Sequence, residues 1–128
     1  MSIKYGKQFV LVAVVMSLML FTLSGHAAKT LSGDEVKALI TDKTVNVTRV
    51  KDGAQWKAYF GADGTSITSG AVSGESTWHV DGEGRHCNEG VKLKCAAVVD
   101  KGDGTYARVK PDGSPAVLWT EIVDGKNL

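Results

Sequence analysis

Gln55-Trp56-Lys57-Ala58-Tyr59-Phe60-Gly61-Ala62-Asp63-Gly64 decides the fold. Trp56, Ala58 and Phe60 fall on one side of a strand, Gln55, Lys57 and Tyr59 fall on the other, and Asp63-Gly64 ends the run. Apolar residues at every second position mark a strand with one buried face. Asp-Gly is a turn signal, because both residues tolerate the positive φ of a tight type I′ hairpin. By the same alternation, Tyr59 faces away from Trp56 and Phe60.

This grammar repeats along the chain. Asp-Gly occurs at 52–53, 63–64, 81–82, 103–104, 112–113 and 124–125. Between these marks lie further short runs. Val45, Val47 and Val50 give an irregular strand pattern, and Ser76, Trp78 and Val80 share a face. Val91, Leu93, Cys95, Ala97 and Val99 share another, opposite Lys92 and Lys94, and Tyr106–Val109 and Ala116–Val123 complete the set. Thr65–Ser73 is weaker, with Ile67 and Ala71 as its inward candidates. Seven or eight strands with turn signals every 8 to 12 residues predict an antiparallel meander. Closure protects the edges of such a meander, so the expectation is a mainly β protein, a small β-barrel that is lipocalin-like in outline. An open β-sandwich is the alternative. With no βαβ unit, a doubly wound nucleotide-binding fold is not expected.

One helix precedes the strands. Ser32 stands as N-cap with Glu35 three residues on, as in a capping box, and Asp34 suits the positive helix end. Val36, Leu39 and Ile40 then follow helical spacing, so the helix spans about residues 33–42. At two to three turns it must dock on the sheet, where it can cap one end of a barrel.

Residues 1–27 carry the layout of a secretory signal peptide. Lys4 and Lys7 precede an uncharged apolar core, Phe9–Leu23, and Gly25 and Ala27 are the small residues before a cut at Ala28. The core is short of the roughly 20 apolar residues of a membrane span, and no lipoprotein cysteine follows it. Cleavage would leave residues 28–128 as a single domain of 101 residues with no stable membrane anchor. Its net charge would be −1, because two of the 15 basic residues and none of the 14 acidic ones lie in the leader. The expected location is the periplasm or the exterior. A chain this short holds neither a two-domain enzyme nor a multi-span membrane protein, and its charge gives no broad basic face for nucleic acid.

The runs Trp56–Thr65 and Ser76–Cys87, with Leu31-Ser32-Gly33-Asp34-Glu35-Val36 before them, resemble small exported proteins of Gram-negative bacteria. Those proteins are grouped as a domain of unknown function, family nine hundred and ninety-five. The likeness covers roughly residues 31–95, and Glu75-Ser76-Thr77 departs from the simpler Gly-Thr that precedes the tryptophan there. The resemblance implies a periplasmic barrel and brings no activity.

Export permits a disulfide, and Cys87 and Cys95 flank the turn candidate Asn88-Glu89-Gly90, so a bridge across one hairpin is expected. Cys-x-x-Cys, the usual redox spacing, is absent, as is Cys-x-x-Cys-His for haem. His79, His86 and Cys87, with Asp81 and Glu83, form the one candidate metal cluster. Adjacent His86 and Cys87 point to opposite faces of a strand, however, so no metal site is assigned and the histidines are expected half-exposed near a polar turn. Asp100-Lys101-Gly102-Asp103-Gly104 lacks the ligand count of a calcium loop. Asn46-Val47-Thr48 matches a glycosylation sequon that a bacterial leader makes idle.

With no Gly-x-Ser-x-Gly elbow in the mature chain, no His-Glu-x-x-His and no phosphate loop, no catalytic residue and no cofactor are assigned. Lys92 and Lys94, with Lys57, read as a solvated face. Trp56, Trp78 and Trp119 lie on three strands and, with Tyr59, are the candidates for binding a small apolar ligand; otherwise the aromatics fill the interior. The expectation is a non-enzymatic barrel for an apolar or amphipathic ligand. The alternative is an interaction or inhibitor module acting on an envelope protein.

Overall fold

The computed structural model describes residues 28–128, and the leader assigned to residues 1–27 lies outside them. In chain order the elements are β1 (Lys29–Thr30), α1 (Gly33–Ile40), β2 (Lys43–Arg49), β3 (Gln55–Phe60), β4 (Thr65–Gly70), β5 (Gly74–Val80), β6 (His86–Glu89), β7 (Leu93–Ala96), β8 (Val98–Asp100), β9 (Tyr106–Val109) and β10 (Pro115–Asp124). All strand pairs are antiparallel and belong to one sheet of order β1-β8-β9-β10-β2-β3-β4-β5-β6-β7. The meander expected from the sequence is present, and the two packed sheets of a sandwich are not.

The sheet curls because β7 and β8 are halves of one run, bent at Ala97. The first half pairs with β6 and the second with β9. The Val109 N–H donates to the Ala97 carbonyl at 3.0 Å, and β10 pairs with β2 over seven residue pairs. The result is a curled barrel, joined at the bend and split below it, where no ladder links β7 to β9 among the described residues.

The helix caps one end. Its start follows the capping box: the Glu35 N–H donates to Ser32 Oγ at 3.2 Å, and the Ser32 N–H donates to Glu35 Oε1 at 3.0 Å. These bonds and the Lys29 ammonium hold the Glu35 carboxyl down to about 2. Val36 and Ile40 are buried against the barrel end, with α1 lying on β2 and β5. There the interior is solid: Val45, Phe60, Trp78, Val98 and Trp119 form the core with them. Among the described residues, no helix is long and apolar enough to cross a membrane.

The Asp-Gly turns lie where expected but use different chemistry from a type I′ turn. Among the described residues the only non-glycine residue with positive φ is Asp42, so the six aspartates are not left-handed; most of the glycines after them are. The aspartates act through their carboxylates instead. Asp52, Asp63, Asp103 and Asp112 each accept the N–H two residues on, at 2.9–3.1 Å, and Asp81 does the same for Glu83 at 3.0 Å. A left-handed glycine then closes the turn, as in the longer hairpin loops.

Candidate functional site

The barrel is filled at the α1 end and hollow at the other. A cavity of about 820 Å³ opens there, between the turns that follow β2, β4, β6 and β9. Its floor is formed by Phe60, His86 and Trp119, with Trp78 packed behind them. His86 sits edge-on to Phe60 and Trp119, with ring centroids at 5.0 and 5.3 Å, and stacks on Trp78 at 6.0 Å.

The walls divide by strand. On β10, β2 and β3, neighbours in the sheet, the inward residues are mostly apolar, Val47, Trp56, Ala58, Val117 and Trp119, with Arg49 at the mouth lying over the Trp56 ring at 5.7 Å. On β4 to β7 and on β9 they are polar: Ser66, Thr68, Ser76, Asn88, Lys94 and Arg108. Alternation produces both walls, but only the first is visible as an apolar pattern. Ile67 faces outward and Ser66 and Thr68 face inward, which reverses the expectation for that strand.

The same reversal affects β7, and the disulfide explains it. Cys87 and Cys95 are bonded and face each other across β6 and β7. His86 points inward, paired beside Val80 and Ala96. Its neighbour Cys87 therefore points outward, and Cys95 must follow it. Leu93 then faces solvent, while Lys94 faces the cavity with Lys92 near its mouth. Lys92 and Lys94 are exposed, as a solvated face requires, yet they also line the cavity and its mouth, and Val91 and Leu93 are exposed at 105% and 57%. Lys57 does lie outside, donating to the Asn127 carbonyl at 3.5 Å.

The four aromatic candidates separate. Trp56 and Trp119 line the cavity. Trp78 is a core residue away from the cavity, with its indole N–H donating to the Gly61 carbonyl at 2.8 Å. Tyr59 stands on the outer face, its hydroxyl 3.3 Å from Asp42 Oδ1, and contributes nothing to the interior. The apolar inward set is Trp56, Ala58 and Phe60, so the alternation that places them inside places Tyr59 outside.

His86 also departs from the half-exposed expectation. It is 0% exposed, whereas His79 is on the surface. Neither ring nitrogen has a hydrogen-bond partner. Burial pushes its pKa well below the ordinary value, with the Arg108 charge adding to the effect, so the ring is neutral at pH 7. Arg108 spans the split seam. Its Nη2 donates to the carbonyls of His86 and Lys94, both at 3.3 Å, while Nε is enclosed without a partner. Burial lowers the guanidinium to about 10, which leaves it cationic at neutral pH. Asn88 Oδ1 is likewise buried and unpartnered.

The lining carries six cationic residues and one acid, Glu75. Among the described residues, only Asp81, Cys87 and Cys95 bring three potential metal-ligand atoms close together. Both cysteines are oxidised and are not thiolate donors. His86 is not in that group; it and Cys87 lie on opposite faces. A second hollow, of about 450 Å³, lies on the outer face by Thr48, Lys57, Ser69 and the C-terminal Leu128. No protein-family model, no curated protein and no solved structure matches the chain.

Proposed function

We propose that the protein is an exported, non-enzymatic β-barrel, periplasmic or secreted, that holds a small ligand with a substantial apolar part in its open-ended cavity. The cavity carries the reading: its volume of about 820 Å³ lies within the 300–1,000 Å³ of small-molecule sites, and one wall is predominantly apolar. Export is supported by the leader pattern at residues 1–27, by the disulfide and by the likeness to the exported family noted above.

The test is tryptophan fluorescence of the purified protein titrated with ten-carbon amphiphiles, charged and uncharged. A saturable one-to-one change, reduced in amplitude by Trp56→Phe, is the expected result. No saturable change with any of them would overturn the reading. A second reading, contact with an envelope protein, draws on the exposed apolar tip Val91 and Leu93 beside the mouth. On that reading, Leu93→Ser abolishes capture of the partner while ligand titrations stay flat.

A further inference from the structure

We propose that the ligand is an anionic amphiphile, a carboxylate whose head lies against the polar wall at Arg108 and whose apolar chain lies along β10, β2 and β3. The inference rests on the reading that the cavity holds a ligand, and adds its chemical class and orientation.

The three arginines make the comparison. Arg49 is paired with Asp52 at 2.9 Å and Arg85 with Asp81 at 2.7 Å, each within its own turn. Arg108 has no carboxylate within salt-bridge distance among the described residues, yet it is the most enclosed of the three. A buried charge is normally paired, because leaving water without a counter-ion is costly. Two backbone carbonyls occupy Nη2 and account for a seam-closing role, but Nε stays without an acceptor. The planar guanidinium matches a carboxylate in geometry and charge.

The groups around Arg108 agree in sign. Lys94 adds a second cation. Neutral His86 carries one ring N–H with no acceptor, and Asn88 can present its NH₂ by turning its amide over. The one lining acid, Glu75, is exposed at the start of β5, so repulsion steers an anionic head away from that edge. Val117 stands directly beside Arg108 as its partner across β9 and β10, and Val47 and Trp56 carry the apolar surface on along β2 and β3, where an alkyl or aromatic body is covered. A wholly apolar ligand would leave the Arg108 charge without a counter-ion; a carboxylate amphiphile supplies one while its chain covers the apolar wall.

The experiment compares decanoate, 1-decanol and decyltrimethylammonium on the wild-type protein, by fluorescence and calorimetry below their aggregation concentrations. Decanoate is expected to bind at least tenfold more tightly than decanol, with the cation weakest. In Arg108→Met, decanoate falls to within threefold of decanol while decanol is unchanged. Equal or tighter binding of decanol, tightest binding of the cation, or an undiminished decanoate advantage in Arg108→Met overturns the inference while leaving the ligand reading intact. If none of the three binds, the ligand reading itself fails and the inference goes with it. Should Arg108→Met not fold, the wild-type comparison still decides, and Lys94→Gln is expected to reduce the decanoate advantage at least twofold.

Discussion

Mild acid should destabilise this protein through His86. The ring is fully buried among Phe60, Trp78 and Trp119, its nitrogens bond nothing, and the Arg108 charge is close by. Its folded pKa therefore lies well below the 6.5 of an unfolded histidine. Below pH 6.5 the unfolded chain binds a proton that the folded chain refuses, so stability rises with pH and falls on acidification. For a folded pKa below the window, going from pH 7.5 to 5.5 costs about 1.4 kcal/mol, one tenfold change in the folding constant. For a domain of this size that corresponds to roughly 5–10 °C in Tm. Glu35 and Asp52, held at about 2, lose their contribution only as pH falls below the ordinary carboxylate range, outside this window. Urea unfolding followed by tryptophan fluorescence at the two pH values measures the effect. His86→Leu should abolish the difference between them, and exposed His79→Gln should retain it. Equal wild-type stability at both pH values, or an undiminished loss in His86→Leu, would refute the reasoning.

Other perturbations report on separate parts of the fold. Ser32→Ala removes the N-cap acceptor of α1 and should cost about 1 kcal/mol, read as a lowered Tm, with cavity binding unchanged. Replacing both Cys87 and Cys95 by Ser, a pair eight residues apart, should lower stability by about 2–3 kcal/mol in urea titrations on the chain-entropy view. Gly70→Ala should lower the urea midpoint and broaden the Trp56 emission. Its Cβ would lie 2.9 Å from the Trp56 Cα at a φ of +129°, a conformation that favours glycine.

The fold was legible where local chemistry acts alone. Ser32 and Glu35 announce the helix start, and Trp56, Ala58 and Phe60 announce an inward strand face. The Asp-Gly pairs place the turns, although the turns are closed by aspartate carboxylates and left-handed glycines rather than by left-handed aspartates. The polar half of the site was hidden, because periodicity assigns apolar residues inward and this interior is polar on one side. Val91, Leu93 and Cys95 look like a core face, but they are outside because the disulfide holds Cys95 opposite Cys87. A usable signal did exist. His86 and Cys87 must face opposite ways, and with the bridge outside, His86 and Lys94 are inside. Arg108 gave no local sign, since its setting depends on the bend at Ala97 that brings β9 against β6 and β7.

The central claim is that the hollow end of the barrel receives a ligand between an apolar and a cationic wall. Amide and side-chain NMR shifts during a titration with decanoate test it most directly. The account predicts saturable changes at Val47, the Trp56 indole, Asn88, Val117 and the Arg108 Nε–H, with Val36 and Ile40 at the capped end unmoved. Shifts confined to the outer face at Lys57, Tyr59 and Leu128, or no saturable shift at all, would contradict it.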